Sequence, residues 1–284
     1  MEVHGEANID TGETVNDLNG RTAYNAQGTV IETKKTQAGD QGPNFSTMVY
    51  SNGTGAYFDA DTRVELKQFS QEPFTPNRAD MDVEPSVSKT QAFVARGTVG
   101  LCTSKAVAGS SMTYQTSEGS VNIRGRKVVI EANNEQTKIS MLEGDSTVRG
   151  GEKDMGGQTL KAGQQAIIRR GAAGQPNLVQ ITAIPPAEFA KLDDKVAMAC
   201  EAKKTVYFEV RDRVTDARGL VSETATESAG GAVTAFDGNS ASSASGAVAR
   251  TRVIVPVEVV SPNLPSEFTV SSALLLTPKP KPGS

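Results

Sequence analysis

The sequence predicts a mainly β fold: a β-sandwich or short β-roll with one amphipathic helix and a C-terminal β region. Three observations carry that prediction. The 284 residues include 27 glycines, with 37% hydrophobic residues, 5% aromatics and no tryptophan. Such a composition suits thin β layers with many turns better than a helical core. Short β-branched and aromatic runs alternate with turn residues from about residue 21 to 171, at the spacing of an all-β sandwich or roll. Only one stretch, after Pro185-Pro186, carries a helical apolar period.

Residues 1–20 are polar, with isolated apolar positions Val3, Ile9, Val15 and Leu18. They read as an extended N-terminal arm, docked on its own domain or on a neighbour. Residues 21–171 read as the β-domain. Within it, Met48-Val49-Tyr50 leads into Asn52-Gly53, a hairpin turn because both residues tolerate positive φ. Tyr57, Phe58, Val64, Leu66 and Phe69 supply the next strands. Pro73, Pro76 and Pro85 punctuate an acidic stretch from 71 to 90 that reads as irregular. Strand signals resume at Ala92-Phe93-Val94, Val99-Gly100-Leu101-Cys102, Met112-Thr113-Tyr114, Val121-Asn122-Ile123, Val128-Val129-Ile130, Ile139 to Leu142 and Ala166-Ile167-Ile168. A cadence of Gly followed by Thr or Ser and Val recurs at Gly28, Gly97, Gly119 and Gly144. It keeps no fixed period, so it predicts a repeated local solution rather than a solenoid.

Residues 172–204 read as a linker and helix. Phe189, Leu192, Val196, Ala199 and Cys200 share one helical face, and proline stands at the helix start. Residues 205–284 read as a C-terminal β region. It opens with a strand at 205–214, continues through a Ser/Ala/Gly-rich loop at 216–250 and ends in a Lys/Pro tail. Pro256 assigns the run Val253 to Val257 to an edge or a bulge.

Catalytic patterns are missing. The sole histidine, His4, stands in the predicted arm, and no GxSxG, P-loop or dinucleotide fingerprint occurs. Asp59/Asp61 and Asp80/Asp82/Glu84 have the i, i+2 spacing that aligns side chains on one face of a strand. Paired carboxylates suit glycoside hydrolysis or calcium; the plainer account is a solvated face or a turn. Asn44 and Asn52 open N-glycosylation patterns, which arise often by chance, and Asn52 is already explained as a turn residue. Cys102 and Cys200 make one possible disulfide or two buried thiols. No metal or cofactor is expected, since the chain has no CxxC or Cys/His cluster. The net charge of -4 with interspersed signs argues against a nucleic-acid surface. No run approaches the roughly 18 apolar residues of a membrane helix. No signal-peptide pattern opens the chain, so either one was removed or the protein is cytoplasmic and Met1 is the initiator.

The stretch from 92 to 171 resembles the FecR-domain family. The resemblance rests on Gly97 to Val99, Ile123-Arg124-Gly125, Leu142-Glu143-Gly144 with Val148, and Leu160-Lys161-Ala162-Gly163-Gln164. An early hairpin at 47–69 is also similar, so the likeness spans roughly 25–171. Arg126-Lys127 departs from the family, which more often has a Thr and another polar residue after that turn. The resemblance implies an extracytoplasmic β-domain without catalytic residues. Its best-known members are transmembrane regulators that relay an outer-membrane transport signal to a sigma factor. This chain carries neither their membrane helix nor their sigma-binding segment, and is more similar to secreted FecR-domain proteins.

These readings lead to an expectation of a non-enzymatic, secreted or cell-surface structural protein. It would self-associate by strand exchange into filaments or a surface layer, with itself as partner and a cell-envelope contact as a further one. Val3, Ile9, Phe268, Val270, Leu274 and Leu276 are the candidate exchange positions. The alternatives are a periplasmic sensing or binding module in signal transduction, or a carbohydrate-binding protein. Lack of tryptophan weighs against the last, and five tyrosines keep it open.

Overall fold

The computed structural model describes residues 1–12, 14–18, 28–40, 42–75, 82–151, 154–172, 175, 177–215, 221–225 and 249–258. The first strands are β1 (Glu2–His4), β2 (Ala7–Asp10), β3 (Val15–Leu18), β4 (Thr29–Thr33), β5 (Phe45–Val49) and β6 (Gly55–Phe58). They are followed by β7 (Thr62–Gln71), β8 (Ser88–Cys102), β9 (Ser111–Gln115), β10 (Ser120–Ile123) and β11 (Lys127–Ala132). Next come β12 (Gln136–Glu143), β13 (Asp145–Arg149), β14 (Gln158–Lys161), β15 (Gln164–Arg169) and β16 (Leu178–Ala183). The helix α1 (Pro186–Lys204) precedes β17 (Val206–Thr215), β18 (Val221–Ala225) and β19 (Ala249–Glu258). The fold is therefore mainly β with one helix.

Strands β1 to β16 form two packed layers that share β8. The first layer runs β1-β5-β6-β8-β11-β12-β15-β16, and the second runs β3-β2-β4-β7-β8-β9-β10-β13-β14. The N-terminal half of β8 pairs with β7 and, in parallel, with β9. Its C-terminal half pairs with β6 and β11. The change falls at Gly97, whose φ of +94° lies in the left-handed region. A Cβ there would overlap the backbone of Thr62 and come within 2.7 Å of the Asp61 carbonyl oxygen. Strands that switch layers through such bends make the corners of an orthogonal sandwich.

The chain turns the same corner three more times. Gly125 joins β10 to β11, Gly144 joins β12 to β13, and Gly163 joins β14 to β15. Gly125 and Gly144 lie back to back, so that a Cβ on either would strike the other's corner. Ala162 N–H donates to the Gly144 carbonyl at 3.0 Å, and Gly163 N–H to the Met141 carbonyl at 2.8 Å. Of the recurring glycines of the sequence, Gly97, Gly119 and Gly144 thus mark places where backbone meets backbone, while Gly28 faces open space.

Between the layers lies a core that includes Ile9, Ile31, Phe58, Leu66, Val94, Leu101, Tyr114, Ile130 and Met141. Tyr50 and Tyr114 close it with a hydroxyl–hydroxyl bond of 3.1 Å. Burial holds the Tyr114 phenol up at about 12. The outer face of the second layer alternates with it in the usual period of two: Arg63 and Arg96 there bind Glu32, and Arg96 Nε also reaches Asp61 at 2.9 Å. The first layer is covered on both faces, by the second layer and by α1. That is why Val128-Val129-Ile130 reads as an unbroken apolar run: Val128 and Ile130 face the sandwich, and Val129 faces the helix.

Several expectations need correction. The N-terminal arm, left open between its own domain and a neighbour, pairs with its own domain. Val3 pairs opposite Ser46 in β5, and Ile9 lies between Asn16 and Ile31. Ile9 is 2% exposed, so the polar segment is held by alternate apolar residues that the core needs. The supposed linker contains a strand, β16, paired along its length with β15. The 216–250 stretch contains β18, paired with β17. Phe189 is 38% exposed and lies off the buried stripe of Leu192, Val196, Ala199 and Ala202. Pro256 sits on β19, an edge of the sheet β18-β17-β19, as expected of a residue that cannot donate to a ladder.

The corner at Gly97 gives a direct test. Gly97→Ala is expected to destabilise the protein by about 3 kcal/mol or more, from left-handed strain plus backbone overlap. A shift of the urea midpoint checks it; a change within 0.5 kcal/mol, the order of an ordinary surface substitution, would remove the corner from its structural role.

Candidate functional site

The densest set of polar and covalent links lies where α1 crosses the first layer. Cys102 at the end of β8 and Cys200 in α1 form a disulfide, with sulfurs 2.06 Å apart and Cα atoms 5.2 Å apart. Leu192, Val196 and Ala199 of the helix pack on Tyr57, Val129, Leu142 and Ile184. Close approach needs strands without side chains beneath the helix. A Cβ on Gly55 would overlap the Ala199 carbonyl, and one on Gly100 would sit 3.2 Å from the Lys195 carbonyl oxygen. Around this apolar seat, Lys195 binds Asp59 at 2.6 Å, Lys127 binds Asp193 at 3.4 Å, and Lys138 bridges Glu188 and Glu131.

These ion pairs decide the fate of the carboxylates. Asp59 accepts from Lys195 and from the Tyr57 hydroxyl at 3.2 Å. Asp61 accepts from Arg96 across the corner. The two acids therefore serve different cations on different layers and do not converge on a common point. Burial and the neighbouring Asp59 push the Tyr57 phenol far above its ordinary value. Glu84 is buried and accepts from the Ser88 hydroxyl and the Val107 N–H, while Asp82 faces Arg126 at 3.4 Å. Asp80 lies outside the described residues. Among the described residues no group of three or more His, Cys, Asp or Glu could hold a metal ion.

The remaining motif residues are structural. Asn52 and Asn44 are both 3% exposed. Asn52 donates to Ser88 Oγ at 3.0 Å and accepts from the Thr54 N–H. Asn44 donates to the Lys35 carbonyl. Their amides are thus committed inward, which excludes glycosylation of the folded chain. The His4 ring stacks on Phe45 at 4.3 Å.

One pairing had no sequence signal. Lys203 and Ser104 are each 6% exposed, with Lys203 Nζ 3.0 Å from Ser104 Oγ. The serine hydroxyl donates to the Gly53 carbonyl at 3.0 Å. A serine beside a lysine is a nucleophile–base arrangement in principle. Here both are sealed beneath the last turn of α1, and the pair ties that turn to the Asn52-Gly53 hairpin. Burial holds the lysine below its ordinary value near 10.5.

The sheet edges make up the rest of the candidate surface. Among the described residues, each layer ends in two strands paired on one side only: β1 and β16 in the first, β3 and β14 in the second. Of the six candidate exchange positions, Val3 and Ile9 are used inside the chain. Phe268, Val270, Leu274 and Leu276 lie outside the described residues. No described helix is long and apolar enough to cross a membrane.

Comparison with known proteins adds a limited likeness. Two solved structures, at 1.65 Å and 2.50 Å, of a protein from Parabacteroides distasonis ATCC 8503 designated an anti-sigma factor are similar to part of the chain. The first is 13% identical with a TM-score of 0.39, and the second 13% identical with a TM-score of 0.38. Each match covers 54% of this chain and 59% of the other. No family model and no curated protein matches the sequence.

Two outcomes test the helix seat. Replacing both Cys102 and Cys200 by Ser is expected to cost roughly 2–5 kcal/mol, since the bond closes a long loop; thermal unfolding with and without reductant measures it. Lys203 gives a pH signature. Its depressed value means that the unfolded chain holds the extra proton between the folded value and 10.5. Stability therefore rises with pH through that window. Lys203→Met is expected to raise the neutral-pH urea midpoint and to flatten the alkaline rise. An unchanged slope would show that the buried ammonium does not titrate in that window.

Proposed function

We propose that the chain is a non-enzymatic, extracytoplasmic binding module on a FecR-like scaffold, working in envelope signalling. One observation carries the reading. Gly97, Gly125, Gly144 and Gly163, which anchor the motifs of the FecR resemblance, all stand at corners where the chain passes from one layer to the other. The motifs therefore specify a scaffold, and the function rests on its surfaces. The disulfide favours an oxidising compartment. Asp59 and Asp61, two of the acids that could have served a glycosidase, are each committed to a separate cation.

A second reading is a cell-surface structural protein. The edge strand β16 favours it, because an open strand is a template for another chain. Deleting the gene in its native cells separates the two. The signalling reading expects a changed transcript level in a defined gene set, with an unaltered cell surface in negative stain. Loss of surface filaments with an unaltered transcript profile would overturn it. Blocking free thiols in whole cells adds a check on compartment: both cysteines are expected to be protected until a reductant is added.

A further inference from the structure

The four edges of the two layers are not equally guarded. Natural sheets discourage edge pairing with charges, proline, bulges or very short strands. β1 is three residues long and holds Glu2, β3 holds Asp17, and β14 is four residues long and holds Lys161. β16, Leu-Val-Gln-Ile-Thr-Ala, has six residues, with no charge and no proline. Its register with β15 runs without a bulge from Leu178 to Ala183. Leu178 is 63% exposed. Val179 and Ile181 pack on the sandwich core but are only partly buried. The core is thus unfinished along this edge, and a strand with apolar residues at alternate positions would complete it.

The 26 residues after Glu258 include a run whose sequence approaches that pattern. At a period of two, Phe268, Val270, Leu274 and Leu276 share one face with Ser272, opposite Thr269, Ser271, Ala273 and Leu275, and no charge occurs from 268 to 277. Pro278 and Pro280, spaced by lysines, then stop any further pairing. We propose that residues 268–276 of a second copy add to the open edge of β16, extending the first layer by one strand. Backbone hydrogen bonds supply the affinity, and the period of two in the donor supplies the register. The contact is heterologous: each copy gives a tail and receives one, so it propagates until a ring closes. The inference is independent of the signalling reading, which concerns transcripts and stands or falls without it.

The test uses the full chain in sedimentation velocity across a dilution series, with two variants. Leu178→Lys charges the edge at an exposed position, and Val270→Lys with Leu274→Lys charges the donor. The wild-type chain is expected to grow in mass with concentration, and each variant to remain monomeric. Mixing the two variants is expected to give dimers that grow no further, because only one edge and one tail are competent. Hydrogen exchange should show amides 178–183 slowing as concentration rises. A wild-type monomer at every concentration, or assembly that survives both variants, would overturn the proposal. So would protection of 178–183 that does not depend on concentration, which would assign the edge to the chain's own tail.

Discussion

The sandwich depends on the backbone crossing at Gly97. β8 is the one strand that belongs to both layers, pairing with β7 and β9 before the glycine and with β6 and β11 after it. The strand can serve both only if it bends sharply, and the bend brings its backbone against Asp61 and Thr62. Thr62 Oγ1 accepts from the Thr98 N–H at 3.0 Å there, so the corner is hydrogen-bonded as well as close-packed. Once this crossing is fixed, Val94 and Val99 from the same strand face one core from two layers. The corners at Gly125, Gly144 and Gly163 follow the direction it sets.

The helix is the second constraint, and it explains why so much polar chemistry is spent on one interface. The first layer would otherwise expose Tyr57, Val129 and Leu142. Burying a large apolar side chain is worth about 1.5–3 kcal/mol. The buried apolar positions Leu192, Val196, Ala199 and Ala202 make a narrow seat. The disulfide and the pairs of Lys195 with Asp59 and Lys138 with Glu188 hold the helix in register over it. Lys203 shows the reverse trade. Its ammonium is buried against a hydroxyl, with the Asp82 carboxylate offsetting only part of the cost, a placement that weakens the seat in exchange for fixing the hairpin turn.

Much of this was legible in the sequence, and the failures share a cause. The strand runs at 92–94, 99–102, 112–114, 121–123, 128–130 and 139–142 were visible, because a strand's own residues carry its period. The helix was visible for the same reason, apart from Phe189, which the wheel placed on a stripe that the sheet does not reach. Pairings distant in sequence were invisible. Val3 finds Ser46 and Ser104 finds Lys203; the Cys102–Cys200 bond, across 98 residues, was visible only as one of two alternatives. β16 hid between a Gly-rich loop and two prolines, where its six residues passed for linker. The same limit governs the carboxylates: the i, i+2 spacing of Asp59 and Asp61 was real, but a corner between them sends each to a different layer.

The unequal guarding of the edges is informative because the sandwich is otherwise conservative. Second-layer outer positions along β7, Arg63, Glu65 and Lys67, carry charge in strict alternation with buried Val64 and Leu66. A chain that places charges so regularly on one face had the means to place one on β16. Of its six residues, Gln180 and Leu178 point to solvent and tolerate lysine without touching the core. An edge left uncharged at exposed positions, beside apolar residues that are only half covered, is therefore better explained by an occupant than by neglect. The occupant has to be uncharged, extended and apolar where it meets Val179 and Ile181, since any other strand would leave them as wet as they are now.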